Sequence, residues 1–236
     1  METKGKILLI LFVTTGFLYY FFLSTPVQDL ITAEVTRVID GDTLELSTGE
    51  KVRLLGINTP EKGSTNYLEA KKFTENLVLN KTVRIESFGY DKYDRILAHV
   101  FIDDKHLNEL ILENGLASLY YYEHDQYYNT LASAEESARK KEIGIWKKSQ
   151  NANCLELIEL KYDEGGIRCT SKEILKLKNR CDFDLTFKYK DDATHIYDAT
   201  IKQSSTLEKN FSCIWNDDGD SLYAWDEQGL LMFYRY

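Results

Sequence analysis

The chain has no surplus of positive charge. Lysine and arginine number 29 against 38 aspartates and glutamates, a formal charge of −9. This excludes a broad basic surface that holds polyanions by displacing counterions; any anion would have to be met by a local cation and a few placed guanidinium groups. Proline occurs only twice, at Pro26 in a short linker from Ser24 to Asp29 and at Pro60 beside a strand end. Cysteine is absent before position 154. Cys154, Cys169, Cys181 and Cys213 form no Cys-x-x-Cys pair, which argues against a zinc site. Their even number fits disulfides in three possible connectivities, or buried free thiols. No Ala-x-Ala cleavage site follows the one long apolar run, Ile7 to Leu23.

That run of 17 residues follows Lys4 and Lys6. It reaches the lower edge of a membrane-spanning helix, about 17–25 residues, and exceeds the roughly 7–15 of a signal-peptide core. Lysines on the amino-terminal flank favour a cytoplasmic Met1 and a body outside. Residues 1–29 are therefore expected to be a membrane anchor formed by a hydrophobic helix, with a cleaved signal peptide and secretion as the alternative.

Three polar stretches then follow in order: Val38-Ile39-Asp40-Gly41-Asp42-Thr43, Arg53-Leu54-Leu55-Gly56-Ile57-Asn58-Thr59-Pro60-Glu61, and Asp91-Lys92-Tyr93-Asp94-Arg95. Each alone reads as turn chemistry. Asp-Gly is a preferred hairpin turn, and Asp218-Gly219-Asp220-Ser221 repeats the pattern with no arginine-rich partner behind it. In conjunction they supply oxygen ligands for a hard cation, two guanidiniums and a further carboxylate, the set that phosphodiester hydrolysis requires. Alternating runs predict strands over 31–39, 43–47, 51–57, 82–87 and 95–102. Apolar spacing predicts helices over 66–79, 107–114 and 126–142, the last two ended by Gly115 and Gly144. Trp146 is expected to seal the end of this unit, and His106 and His124 to be solvated.

The segment from about Thr32 to Trp146 resembles the staphylococcal nuclease family through the three stretches above, the Asn108–Ala117 run and the closing Gly144-Ile145-Trp146. The resemblance implies an OB-fold, five-stranded β-barrel with three helices over residues 30–148. It also implies calcium-dependent cleavage of DNA and RNA leaving 3′-phosphate ends. By position it assigns Asp42, Asn58 and the Thr59 carbonyl to Ca2+, with Asp40 behind them. It assigns Glu61 to the attacking water, Arg53 and Arg95 to the scissile phosphate, Lys92 and Tyr93 to a neighbouring phosphate, and Tyr121 to a base. Asn58 departs from the family's carboxylate, and weaker calcium binding is expected.

Polar residues 147–153 read as a linker. From Cys154 helical periodicity disappears. Alternating runs over 155–160, 173–179, 183–189, 196–201, 210–215, 221–225 and 230–236 predict a β-sandwich over residues 154–236. Ile174–Asn179, Cys213–Asp220 and Leu222–Asp226 resemble the lamin-tail domain, which implies an immunoglobulin-like fold and an envelope or protein partner. The whole is read as a mainly β, monomeric, membrane-anchored nuclease. The alternatives are a non-catalytic nuclease-like module binding nucleic acid or protein, and an envelope adhesion protein in which the sandwich is the working part.

Overall fold

The computed structural model describes residues 30–121, 124–162, 173–192, 196–212, 214–216 and 219–236. The apolar run Ile7–Leu23, Tyr122, Cys169, Cys213, Asp217 and Asp218 lie outside the described residues. Among the described residues no helix is long and apolar enough to cross a membrane.

The first half is a closed, mixed barrel of five main strands. Strands β1 (Leu30–Asp40), β2 (Thr43–Leu46) and β3 (Lys51–Leu54) form a meander, with two-residue β4 (Ile57–Asn58) beyond it. Strands β5 (Thr82–Tyr90) and β6 (Ile96–Ile102) follow helix α1 (Tyr67–Val78). The sheet runs β3-β2-β1-β5-β6, and a parallel pairing of β3 with β6 closes it. Inward positions carry Val35, Leu44, Leu54, Ile85, Ile96 and Val100, all essentially without solvent exposure. After β7 (Lys105–His106) come α2 (Leu107–Glu113), β8 (Ser118–Leu119) and α3 (Tyr128–Lys141). Helix α1 buries Ala70, Thr74 and Val78, a four-residue spacing that makes one apolar face.

Sequence periodicity gave one strand over 51–57, whereas the chain breaks at Leu55–Gly56. Gly56 has φ +79°, and a Cβ there would sit 2.4 Å from the Tyr121 ring. Only glycine accepts both conditions, so the strand stops and β4 turns away to pair with β8.

Among the described residues the second half has seven strands in two sheets. One runs β13 (Thr206–Phe211), β10 (Glu173–Asn179), β9 (Leu155–Lys161). The other runs β12 (Ile196–Ile201), β11 (Leu185–Lys190), β14 (Ser221–Asp226), β15 (Gly229–Arg235). Leu175 and Leu177 of the first sheet share a core with Phe187, Ile201, Leu222 and Ala224 of the second, as expected of a sandwich. The expected strand 210–215 instead spans 206–211, because Leu207 and Phe211 are the positions that turn inward. Cys154 and Cys181 form a disulfide with Cα atoms 5.1 Å apart.

The two halves share a seam. Trp146, 2 % exposed, packs with Ala138, Tyr223 and Phe233, so the residue expected to seal the barrel seals the junction instead. Residues 147–149 are not a free tether: the Leu230 N–H donates to the Lys147 carbonyl (2.8 Å), and the Ser149 N–H donates to the Leu230 carbonyl (2.9 Å). Across the seam Arg235 forks onto the buried Glu135 carboxylate, Nη1 to Oε2 at 2.6 Å and Nη2 to Oε1 at 3.1 Å. Arg235 Nε donates to Ser221 Oγ, and Glu135 Oε1 also accepts the Leu119 N–H.

Candidate active site

The site grows from the β1–β2 turn. The Asp42 N–H donates to Asp40 Oδ1 (3.2 Å), and the Gly41 carbonyl accepts a hydrogen bond from Thr74 of α1 (2.8 Å). A Cβ on Gly41 would lie 2.8 Å from the Thr59 side chain, so this turn meets the β4 exit loop only because glycine stands there. Asp42 is then carried into the fold, 5 % exposed. Its Oδ2 accepts the Thr59 N–H (2.7 Å) and hydroxyl (2.9 Å), and its Oδ1 accepts the Thr43 hydroxyl (3.1 Å).

Arg53 ties this carboxylate to the next stretch. Its Nε lies 3.4 Å from Asp42 Oδ1, and its Nη1 donates to the Leu54 and Ile57 carbonyls. Its Nη2 donates to Asn58 Oδ1 at 3.2 Å. Arg53, Asp42, Asn58 and Thr59 therefore form one hydrogen-bonded cluster. Glu61 lies two residues beyond Thr59, exposed at the end of the same loop.

Strand register brings Arg95 near this corner. Arg53 pairs with Leu97 on the parallel neighbour β6. Arg95 stands two residues before Leu97, in the turn that leads into β6, which places it at the edge of the sheet beside β3. Arg95 gives Asp91 Oδ2 one edge of its guanidinium, through Nε and Nη2 at 2.7 Å each. Asp91 Oδ1 accepts the Tyr93 and Arg95 N–H groups. Burial pushes the Asp91 carboxyl up, but these N–H bonds and the Arg95 charge outweigh it and hold the group below its usual range. Lys92 and Arg95 flank the exposed Tyr93 ring at 5.1 and 5.5 Å from its centroid.

Asp40, Asp42 and Asn58 bring two carboxylates and a carboxamide to one hydrogen-bonded corner, oxygen donors of the kind that calcium accepts. Burial, and then repulsion from Asp42, push the Asp40 carboxyl up to about 6. A divalent cation beside the pair would relieve that repulsion, so the residues present fit the ion. Among the described residues there is no cluster of three or more His, Cys, Asp or Glu side chains placed to hold a metal.

Tyr121 sits differently from the rest. Its ring packs on Gly56 and its hydroxyl donates to Asp125 Oδ1 (2.9 Å), with burial first and that bond second raising its pKa. His106 is not solvated. It is 7 % exposed, stacks on Phe101 and meets His99 Nδ1 at 3.0 Å, while His99 Nε2 meets Asp125 Oδ2 at 2.7 Å. Burial, then the neighbouring His99, push His106 down to about 3. His124 is exposed, with its ring stacked on Tyr128.

The sequence reading missed what the second half brings to this site. Asn58 Nδ2 reaches the Asp192 main-chain carbonyl (3.5 Å), and Asp192 Oδ1 accepts the Tyr223 hydroxyl (2.9 Å). Lys190, on β11, feels the Glu61 carboxylate as well as Asp191, Asp192 and Asp220. Burial nonetheless lowers its pKa. No local pattern signals a contact across 134 residues.

A family model described as staphylococcal nuclease homologue matches residues 51–148. Asp40 and Asp42 lie just before that span. Among similar curated proteins is an uncharacterized endonuclease of Haemophilus influenzae, 36% identical over 138 residues, 56% of this chain and 76% of that protein. A thermonuclease of Staphylococcus intermedius is 36% identical over 126 residues, 48% of this chain and 75% of its own length. An uncharacterized endonuclease of Escherichia coli is 34% identical over 137 residues, covering 55% and 86%.

Proposed function

The chain belongs to the staphylococcal nuclease family, and from that premise we propose that it is a calcium-dependent endonuclease that cuts DNA and RNA and leaves 3′-phosphate ends. Family membership makes it a phosphodiester hydrolase with nucleic acid as substrate. The metal, the products and the residue roles are our reading. The observation that carries it is the linked cluster of Asp42, Arg53, Asn58 and Thr59, with Glu61 at the end of its loop and Arg95 at the sheet edge beside β3.

The two arginines divide the work. Arg53 spends most of its five N–H groups on the Asp42 carboxylate, two carbonyls and Asn58, so it fixes the corner and retains little for a ligand. Arg95 commits one edge to Asp91 and presents the other, which can donate two parallel hydrogen bonds to phosphate oxygens as charge builds on them. Glu61 accepts a proton from the attacking water or aims it in line. Lys92 and Tyr93 steady the next phosphate, and Tyr121 stands nearest the base. Asp42, Asn58 and the Thr59 carbonyl would hold calcium, which supplies Lewis-acid withdrawal of charge from the phosphoryl group.

The amino-terminal segment is read as an anchor that leaves the body outside the cytoplasm, or as a cleaved leader. The sandwich is read as a lamin-tail-like module. The test is digestion of single-stranded DNA by the detergent-solubilised full chain with calcium and then with chelator, followed by end-group analysis. Cleavage that needs calcium and leaves 3′-phosphates supports the reading; no cleavage in either condition overturns it.

A further inference from the structure

Between the 58–66 loop of the barrel and the β14–β15 hairpin of the sandwich lies a cavity of about 340 Å3. That volume is within the range of small-ligand sites, about 300–1,000 Å3. Asn58 and Glu61 form part of the barrel wall, so the cavity opens directly from the proposed catalytic loop. Trp225 and Leu230 face it from the sandwich, and Lys147 and Lys190 bring two cations. We propose that this cavity is a nucleotide subsite, walled by the second half of the chain, that takes the residue of the substrate strand adjoining the scissile phosphate. It deepens the hydrolytic reading and rests on it.

Continuity fixes the occupant. A strand whose phosphate lies beside Glu61 must send its next nucleotide along one side of that loop, and this cavity lies along it. Trp225 offers a partly buried indole that packs into the seam with Trp146 and Tyr223. Such a ring stacks any base. The charges also sort out. Asp226, the nearest carboxylate on the hairpin, already accepts hydrogen bonds from Ser149, Asn151, Gln228 and Gly229, so its charge is turned into the hairpin itself. Lys190 lies over the Tyr223 ring (5.2 Å to the centroid) and feels Glu61. There its ammonium can meet a backbone phosphate on the sandwich side while Arg95 meets one on the barrel side. Asp191, Asp192 and Asp220, the carboxylates that Lys190 feels besides Glu61, offset its charge toward a phosphate, so the Trp225 indole carries most of the subsite.

The test has two independent arms on the full-length chain. In the kinetic arm, Trp225→Ala is expected to raise KM for an octanucleotide about fivefold relative to KM for an octanucleotide whose sugars lack bases, the low end of a lost stacking contact. Trp225→Phe is expected to restore most of it, and Lys190→Gln to raise KM for both substrates several-fold. In the binding arm, a mononucleotide should quench tryptophan fluorescence in the wild type, and Trp225→Phe should abolish that part of the quench. If octanucleotides are cleaved but Trp225→Ala leaves the ratio unchanged and Trp225→Phe leaves the quench unchanged, the subsite is wrong and hydrolysis stands. If quenching depends on Trp225 but nothing is cleaved, the hydrolytic reading fails and the nucleotide site survives.

Discussion

The molecule contains two arginine–carboxylate arrangements built from the same chemistry to opposite ends. At the seam, Arg235 meets Glu135 in a fork, and its Nε and the second Glu135 oxygen have further partners in Ser221 and Leu119. At the cleft, Arg95 meets Asp91 along one edge only. A guanidinium with all donors engaged holds structure together; one with a free edge can bind something that arrives later. Arg53 stands between the two, saturated like Arg235 yet placed in the site.

The comparison is most easily broken at the seam. Arg235→Ala leaves the buried Glu135 only the looser contact with Arg139, whose Nε stands 3.8 Å from Oε2, and stability is expected to fall by about 3–5 kcal/mol. The lower end is favoured because Arg235 is 29 % exposed. Urea unfolding measures this; a loss under about 1 kcal/mol would remove Arg235 from its structural role. At the cleft the sign reverses. Arg95→Lys should leave the unfolding midpoint nearly unchanged while kcat/KM falls about two to three decades, roughly 2.7–4 kcal/mol. A lysine keeps the charge but not the planar fork, so Arg95→Ala should be little worse, and substantial rescue by lysine would defeat the bidentate argument.

Smaller effects sharpen the contrast. His106 is buried with its pKa depressed to about 3, whereas the unfolded chain protonates near 6.5. The unfolded state therefore binds the extra proton between these values, and stability declines as pH drops through that window. The slope approaches about 1.4 kcal/mol per pH unit for this group. His106→Phe should flatten the profile of unfolding free energy between pH 6 and 4; an unchanged slope would clear His106 of the effect. The smallest change is expected from Asn58→Asp. The added charge should tighten calcium several-fold, seen in the metal dependence of cleavage. It also removes the Nδ2 donor facing the Asp192 carbonyl, so a small loss of stability should accompany it.

Much of this was legible in the sequence. The barrel strands and helices followed their apolar periods to within a residue or two over most of the first half, and Asp42, Arg53, Asn58 and Thr59 share one hydrogen-bonded cluster. Gly56 broke a strand that its neighbours Leu55 and Ile57 extend on paper, because the constraint comes from Tyr121, far along the chain. His106 looked solvated at a helix start, but Phe101 and His99 on β6 cover it. The Asn58–Asp192 and Glu135–Arg235 contacts join residues more than 90 positions apart, where no local period operates. Asp91 as the holder of Arg95 was visible as spacing only once the turn between them was known.

The paired amides at Lys147, Ser149 and Leu230 make the junction behave as a clasp rather than a leash. Adding glycines after Ser149 would lengthen the chain without parting the halves, since the two hydrogen bonds precede the insertion. Leu230→Pro deletes one of those bonds at its source, and the gap beside Glu61 would then gape. The spacing between jaw and jaw is thus set by this hairpin residue together with the Arg235–Glu135 fork and the Trp146 packing, not by the length of the connecting peptide.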